Sequence, residues 1–152
     1  MRAQYRGLVD PGAVEAAIAQ SYSLDALVDC MDRCNRSESA HFVVAEFDDA
    51  VIGYLHFDTF GPEPELHRIY VDPSVRRSGV GASLLTELNE KLPVDASYML
   101  LVLEGNDRAV AFYQRHGFAV EAYVDGLAYY RERMSVAFSE DTLPFRLILM
   151  RR

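Results

Sequence analysis

Ile69-Tyr70-Val71-Asp72-Pro73, continued by Arg76-Arg77-Ser78-Gly79-Val80-Gly81-Ala82-Ser83, decides how this chain is read. The first three residues are apolar and suit a strand, and Pro73, which lacks a backbone donor, ends it. Two glycines then open a helix, where they let the backbone turn tightly and come close to a ligand. Free amides in a helix's first turn, added to its dipole, make an anion site suited to a pyrophosphate, and Arg76 and Arg77 add charge at its rim. Alone, Gly-x-Gly supports no more than a strand-to-helix turn with solvated arginines. No Gly-Lys-Ser/Thr follows, which excludes a P-loop. The third glycine and later ribose-binding acid of a dinucleotide fold are also missing.

Downstream, Leu84, Leu85 and Leu88 share one face of a helix from Gly79 to about Leu92, and Pro93 stops it. Residues 98–103 are a short, continuous apolar run suited to a central strand buried on both faces. Asn106 and Asp107 are placed to cap a helix reaching about His116, with Gly117 as its left-handed stop. Residues 118–124 and 145–150 read as closing strands. Between them, residues 125–144, with Tyr129, Tyr130, Arg131 and Arg133, read equally as helix or loop. Upstream, Pro62 and Pro64 break the chain before a strand at 65–71. Residues 41–47 and 51–57 form a hairpin through Asp48, Asp49 and Ala50, and Gly53 marks a bulge or a close backbone approach. Residues 11–20 and 24–33 have helical spacing, with Ser23 placed to cap the second helix.

The chain has 152 residues, half of them hydrophobic, which is enough for one core and one domain spanning 1–152. Its net charge of -8 argues against nucleic acid as a partner, since phosphate binding needs a broad surplus of Lys and Arg. An acidic body suits a cationic second substrate. The opening MRAQYRGLVDPG has arginines with no apolar stretch after them, and no run approaches a membrane span. A cytoplasmic protein without a membrane partner is therefore expected. Cys30 and Cys34 lie one helical turn apart with no second pair and no nearby His doublet, so they read as structural thiols and no metal is expected.

Two motifs together resemble the acetyltransferases related to the Gcn5 histone acetyltransferase, the GNAT superfamily. Arg76, Gly79 and Gly81 match its core pattern of Arg or Gln, two residues, Gly, one residue, then Gly or Ala. Asn106, Ala109, Phe112-Tyr113, Arg115 and Gly117-Phe118 are similar to its second block. The resemblance covers roughly residues 42–118 and a last strand at 145–150. It implies an α+β fold: a mixed, mostly antiparallel twisted sheet with splayed central parallel strands, flanked by helices. It also implies acetyl-CoA as cosubstrate, a primary amine of a small molecule or peptide as acceptor, and a monomer or homodimer. Two further readings are protein lysine or N-terminal acetylation and a non-catalytic acetyl-CoA-binding sensor. The usual first strand has no convincing counterpart before Pro11.

Carried over residue by residue, the resemblance pairs the main chain of Ile69, Tyr70 and Val71 with the pantetheine arm. Amides from Arg77 through Ser78, Gly79, Val80, Gly81 and Ala82 to Ser83 take the pyrophosphate, with Arg76 beside them. Asn106 bonds the pantetheine side, and Phe112 or Arg115 touches the cofactor. Such a cleft requires the two central strands to part beyond Val71 and Val102, leaving backbone groups for the ligand to satisfy. Tyr113 stands where the family places its general acid. Glu65, by its distance before Arg76, is the first candidate base, and His67, two residues on along the same strand face, is the second. Glu104 is a weaker third, and a water relay would need no single base. Members that acetylate ribosomal-protein N-termini carry a glutamate five residues before the asparagine, where this chain has Leu101.

Overall fold

The computed structural model describes residues 23–134 and 144–152. The predicted helix at 11–20, the question of a strand before Pro11 and the stretch 135–143 lie outside them. The described chain runs α1 (Leu24–Asn35), β1 (Ala40–Phe47), β2 (Ala50–Asp58), β3 (Glu65–Val71), a 3-10 turn (Pro73–Val75), α2 (Val80–Lys91), β4 (Met99–Leu103), α3 (Asp107–Arg115), β5 (Ala119–Asp125), α4 (Gly126–Met134) and β6 (Arg146–Arg151). Strand order is β1-β2-β3-β4-β6-β5. The pairs β1–β2, β2–β3 and β5–β6 are antiparallel and β3–β4 is parallel, which makes a mixed, mostly antiparallel α+β fold.

Contacts gather the chain into two compact units, Asp29–Leu100 and Met1–Val28 with Leu101–Arg152, and β4 runs through the boundary. In the first unit, β1 and β2 meet through a two-residue turn, Asp48-Asp49, with φ of 50° and 60°. Two left-handed residues match the turn to the twist of the strands, and Asx side chains tolerate that conformation best after glycine. Gly53 meets both readings made of it. The register slips beside it, and a Cβ there would lie 2.8 Å from the Tyr70 carbonyl oxygen. A second slip, between His56 and Phe57, leaves His67 as the extra residue on β3. Leu55, Phe57 and Leu66 point into the core with Leu84, Leu85 and Leu88 of α2, all nearly fully buried. On the opposite face, Cys30 and Cys34 of α1 pack with Ala40 and Phe42.

The pairing of β3 with β4 is confined to Glu65↔Met99, supported by the Met99 amide donating to the Pro64 carbonyl at 3.0 Å. The ladder therefore ends at the start of β3, well before Val71. In the second unit, Asn106 caps α3 by accepting from the Ala109 amide at 3.3 Å, and Gly117 closes the helix at φ 88°. Residues 126–134 resolve the helix-or-loop alternative as helix α4. Its first amide donates to the Phe145 carbonyl beside β6.

Candidate active site

β3 contributes two kinds of group in the first unit, main chain along one edge and side chains on one face. Toward β2, Ile69, Tyr70 and Val71 are paired with Leu55, Tyr54 and Gly53. Among the described residues their other edge has no strand partner beyond Leu66, so it keeps backbone donors and acceptors for a ligand. Asp72 then caps the 3-10 turn through the Ser74 amide at 2.8 Å, and Arg76 continues extended. Arg77 at φ 71° and Gly79 at φ 88° twist the chain into α2. Gly79 has no side chain with which to cap, and no side-chain cap on the first turn of α2 is present among the described residues. The Ser83 amide is the first to find an intrahelical partner, the Gly79 carbonyl at 2.9 Å. Among the described residues nothing lies within 4 Å of a Cβ built on Gly79, so the approach to these amides is open on their side. This open loop with dipole and arginines fits a pyrophosphate, and the free strand edge fits an amide-bearing arm.

The bulge at His67 puts Glu65, His67, Asp58 and His56 on the face away from α2. His67 Nε2 lies 3.1 Å from Asp58 Oδ1, and His67 Nδ1 lies 3.5 Å from Glu65 Oε1. Glu65 and His67 therefore do share a strand face. His56 is almost wholly buried, its Nε2 3.2 Å from Asp58 Oδ2 but outside hydrogen-bond geometry, so neither ring nitrogen has a hydrogen bond among the described residues. A buried polar group left unsatisfied costs about 1–3 kcal/mol. The two imidazoles stack with centroids 4.7 Å apart.

Charge in the cluster is decided by these contacts. Burial alone would discharge His67, but its contacts with Asp58 and Glu65 outweigh it and push its pKa up to about 9. Burial would raise Asp58, yet the two histidines and the Phe60 amide hold it well below the usual carboxylate range. For His56 burial wins and lowers the pKa, helped by the charges of His67 and Arg68. The group is thus a cationic His67 bridging two carboxylates beside a neutral His56. His67 enters the neutral pH range already protonated, which weakens the expectation that it is the base. Next to the cluster, half-buried Phe42, Tyr54 and Tyr70 stack across β1, β2 and β3 at 5.3 and 5.6 Å, a surface suited to a cationic chain with methylene segments.

In the second unit, Tyr113 packs edge-on against Phe118 at 5.5 Å and Phe112 at 5.2 Å, which fixes its ring. The Phe112 carbonyl lies 2.7 Å from His116 Nδ1. Glu104 is exposed and ion-paired with Arg146 at 3.6 Å. The sequence reading misses His56 because it sits in the apolar strand run 51–57, and Asp58 because it lies just past that run's end. Their signal was the His-x-Asp alternation, which faces Glu65 once the hairpin register is known.

The family model described as an acetyltransferase (GNAT) domain matches residues 38–120. The chain is 28% identical over 120 residues to spermidine N(1)-acetyltransferase of Thermoplasma acidophilum, covering 77% of this chain and 74% of that protein. It is 35% identical over 82 residues to the N-alpha-acetyltransferase RimI of Mycobacterium tuberculosis, spanning about half of each, 51%. The crystal structure of the PaiA N-acetyltransferase from Thermoplasma acidophilum in complex with coenzyme A shares the fold at a TM-score of 0.74 and 22% identity, covering 99% of this chain and 84% of that one. With both sequence motifs inside the matched span, the chain belongs to the GNAT family of acetyltransferases and uses acetyl-CoA as its acetyl donor.

Proposed function

We propose that this chain is, over residues 1–152, a single-domain cytoplasmic N-acetyltransferase for a primary amine of a small molecule or peptide, working as a monomer or homodimer. The observation that carries the reading is the Glu65–His67–Asp58 cluster on β3 and β2, beside the aromatic row and on the strand whose free edge suits pantetheine. Glu65 supplies a carboxylate on this face that can pair with an ammonium, in a chain of net charge -8. The relationship to a spermidine N(1)-acetyltransferase supports a small polycation as acceptor.

Bound acetyl-CoA supplies an acetyl group activated as a thioester. Ile69, Tyr70 and Val71 hold its pantetheine arm by main chain, and residues Arg76 to Ser83 hold the pyrophosphate. Asn106 and Phe112 steady the arm from α3. Glu65 takes a proton from the ammonium, since His67 is already protonated near neutrality. The freed nitrogen then attacks the carbonyl and forms the amide bond as the carbon–sulfur bond breaks; Tyr113 gives its phenolic proton to the departing sulfur, and the second proton that the nitrogen sheds goes back to the phenolate. His67 and Asp58 act as positioning residues that fix Glu65 and the local charge.

A peptide N-terminus is the second acceptor reading, favoured by the similarity to RimI and opposed by Leu101. Thiol release from acetyl-CoA with polyamines, aminoglycosides, amino acids and short peptides separates the readings. Release with polyamines above all others is expected. Release only with peptides would select the second reading, and acetyl-CoA binding without release on any amine would make the chain a sensor.

A further inference from the structure

We propose that Cys30, Cys34 and His56 form a binding site for a soft divalent metal ion of the zinc class, with Asp58 orienting the histidine. The two thiols are 3% and 6% exposed and His56 is 4% exposed, so the three groups meet inside the protein. One ligand atom from each lies within 4.8 Å of the other two. In a tetrahedral zinc site, bonds of about 2.0–2.3 Å put neighbouring ligand atoms roughly 3.5–3.8 Å apart, so closure requires shifts of about 1 Å. Thiolate and imidazole together are the donor set that selects zinc over the hard cations. Three protein ligands leave a fourth position for water.

The state of His56 points to an ion independently of the cysteines. Both of its ring nitrogens are buried and lack hydrogen bonds among the described residues, which a polar group rarely tolerates without a partner. Its Nε2 stands 3.2 Å from Asp58 Oδ2. A metal-bound imidazole commonly turns its other nitrogen to a carboxylate, which fixes the ring and strengthens the ligand. Here that arrangement assigns Nε2–H to Asp58 and leaves Nδ1 for the ion. Asp58 is itself held by His67 at 3.1 Å and by the Phe60 amide at 3.1 Å.

Coordination removes one proton from each thiol. The two protons pass to solvent, so binding strengthens as pH rises. The cysteines escaped a metal reading in the sequence because their third ligand comes from another element, β2. Acetyl transfer needs no metal and uses none of the three ligands, and Asp58 joins the site to the Glu65–His67 cluster.

The test uses the full chain, stripped with chelator and titrated with Co²⁺, then Zn²⁺. A thiolate-to-cobalt absorption band should saturate at one ion per chain and disappear on adding Zn²⁺. Cys30→Ala/Cys34→Ala should abolish the band while keeping the rise in Tm on adding acetyl-CoA. His56→Gln should weaken binding at least tenfold, and Asp58→Asn about 10- to 100-fold. Cys30 and Cys34 are the chain's only cysteines. Alkylation of the wild-type chain, read with and without one equivalent of Zn²⁺, therefore reports on the site even if the variants fail to fold, and a slowing of at least tenfold is expected. The proposal is overturned by absence of the band, by a band that survives in the double alanine variant, or by equal alkylation rates.

Discussion

At the scale of single residues, position separates the proposed roles of Tyr113, Glu65 and His67. Tyr113→Phe keeps the ring that packs on Phe118 and Phe112 and removes only the hydroxyl. It should lower kcat by about 10- to 1,000-fold while leaving acetyl-CoA affinity near the wild-type value, as loss of one general acid does. An unchanged kcat would reduce the residue to packing. Glu65→Gln and His67→Gln discriminate between two bases. If Glu65 takes the proton, Glu65→Gln loses about 100-fold or more in kcat across neutral pH, whereas His67→Gln shows a smaller loss and an altered pH profile. If His67 were the base, wild-type activity would climb with pH toward about 9, where the imidazolium gives up its proton, and His67→Gln would erase that climb. Initial-rate measurements from pH 6 to 10 on the three proteins decide between the two.

Elements explain what was legible in the sequence. Helix α2 could be read from Leu84, Leu85 and Leu88, and α3 from its cap and its glycine stop, because local chemistry alone dictates them. The turn from Val71 into α2 is legible for the same reason. The Glu65–His67–Asp58 cluster is only half legible. Glu65 and His67 share a strand and could be paired by alternation, but Asp58 and His56 join them through a cross-strand register that includes a bulge. A one-residue slip of that kind leaves no local signature. That the β3–β4 ladder is limited to Glu65↔Met99 is likewise not legible, since only the pairing itself shows where a ladder ends. Two glycines test the element-level account. Gly53→Ala sets a methyl 2.8 Å from the Tyr70 carbonyl oxygen and 3.2 Å from Val80 Cγ1, so β2 and β3 must shift. It should destabilise the fold by about 1–3 kcal/mol in denaturant titration. Gly79→Ala meets open space and suffers only from its φ of 88°, a strain of about 1–2 kcal/mol localised in the loop. Its main effect should be a weaker grip on acetyl-CoA, read by calorimetry, with a smaller fall in stability than Gly53→Ala.

For the molecule as a whole, stability against pH follows from groups whose protonation differs between folded and unfolded chains. His67 has its folded pKa raised from 6.5 to about 9, so the folded chain holds the extra proton between these values. Its stabilising contribution is fully present below 6.5 and is lost as pH rises through 9. Asp58 runs the other way, with a folded pKa held below its ordinary 3.8. Its contribution is present above 3.8 and is lost as pH falls toward the folded value. His56 stays neutral when buried, so protonation of the unfolded chain below 6.5 also favours unfolding. The net charge of -8 grows more negative as pH rises, which adds self-repulsion to the alkaline side. Tm should therefore peak near pH 6.5 and decline both toward pH 9.5 and toward pH 4. His67→Gln should flatten the alkaline decline and, because His67 helps to hold Asp58 low, make the acid limb shallower as well, and calorimetric scans at fixed ionic strength measure both. A wild-type Tm that is level from pH 6.5 to 9.5, or an equal alkaline decline in His67→Gln, would mean that His67 does not carry its proton into the folded state, and the assignment of Glu65 as base would lose its electrostatic support.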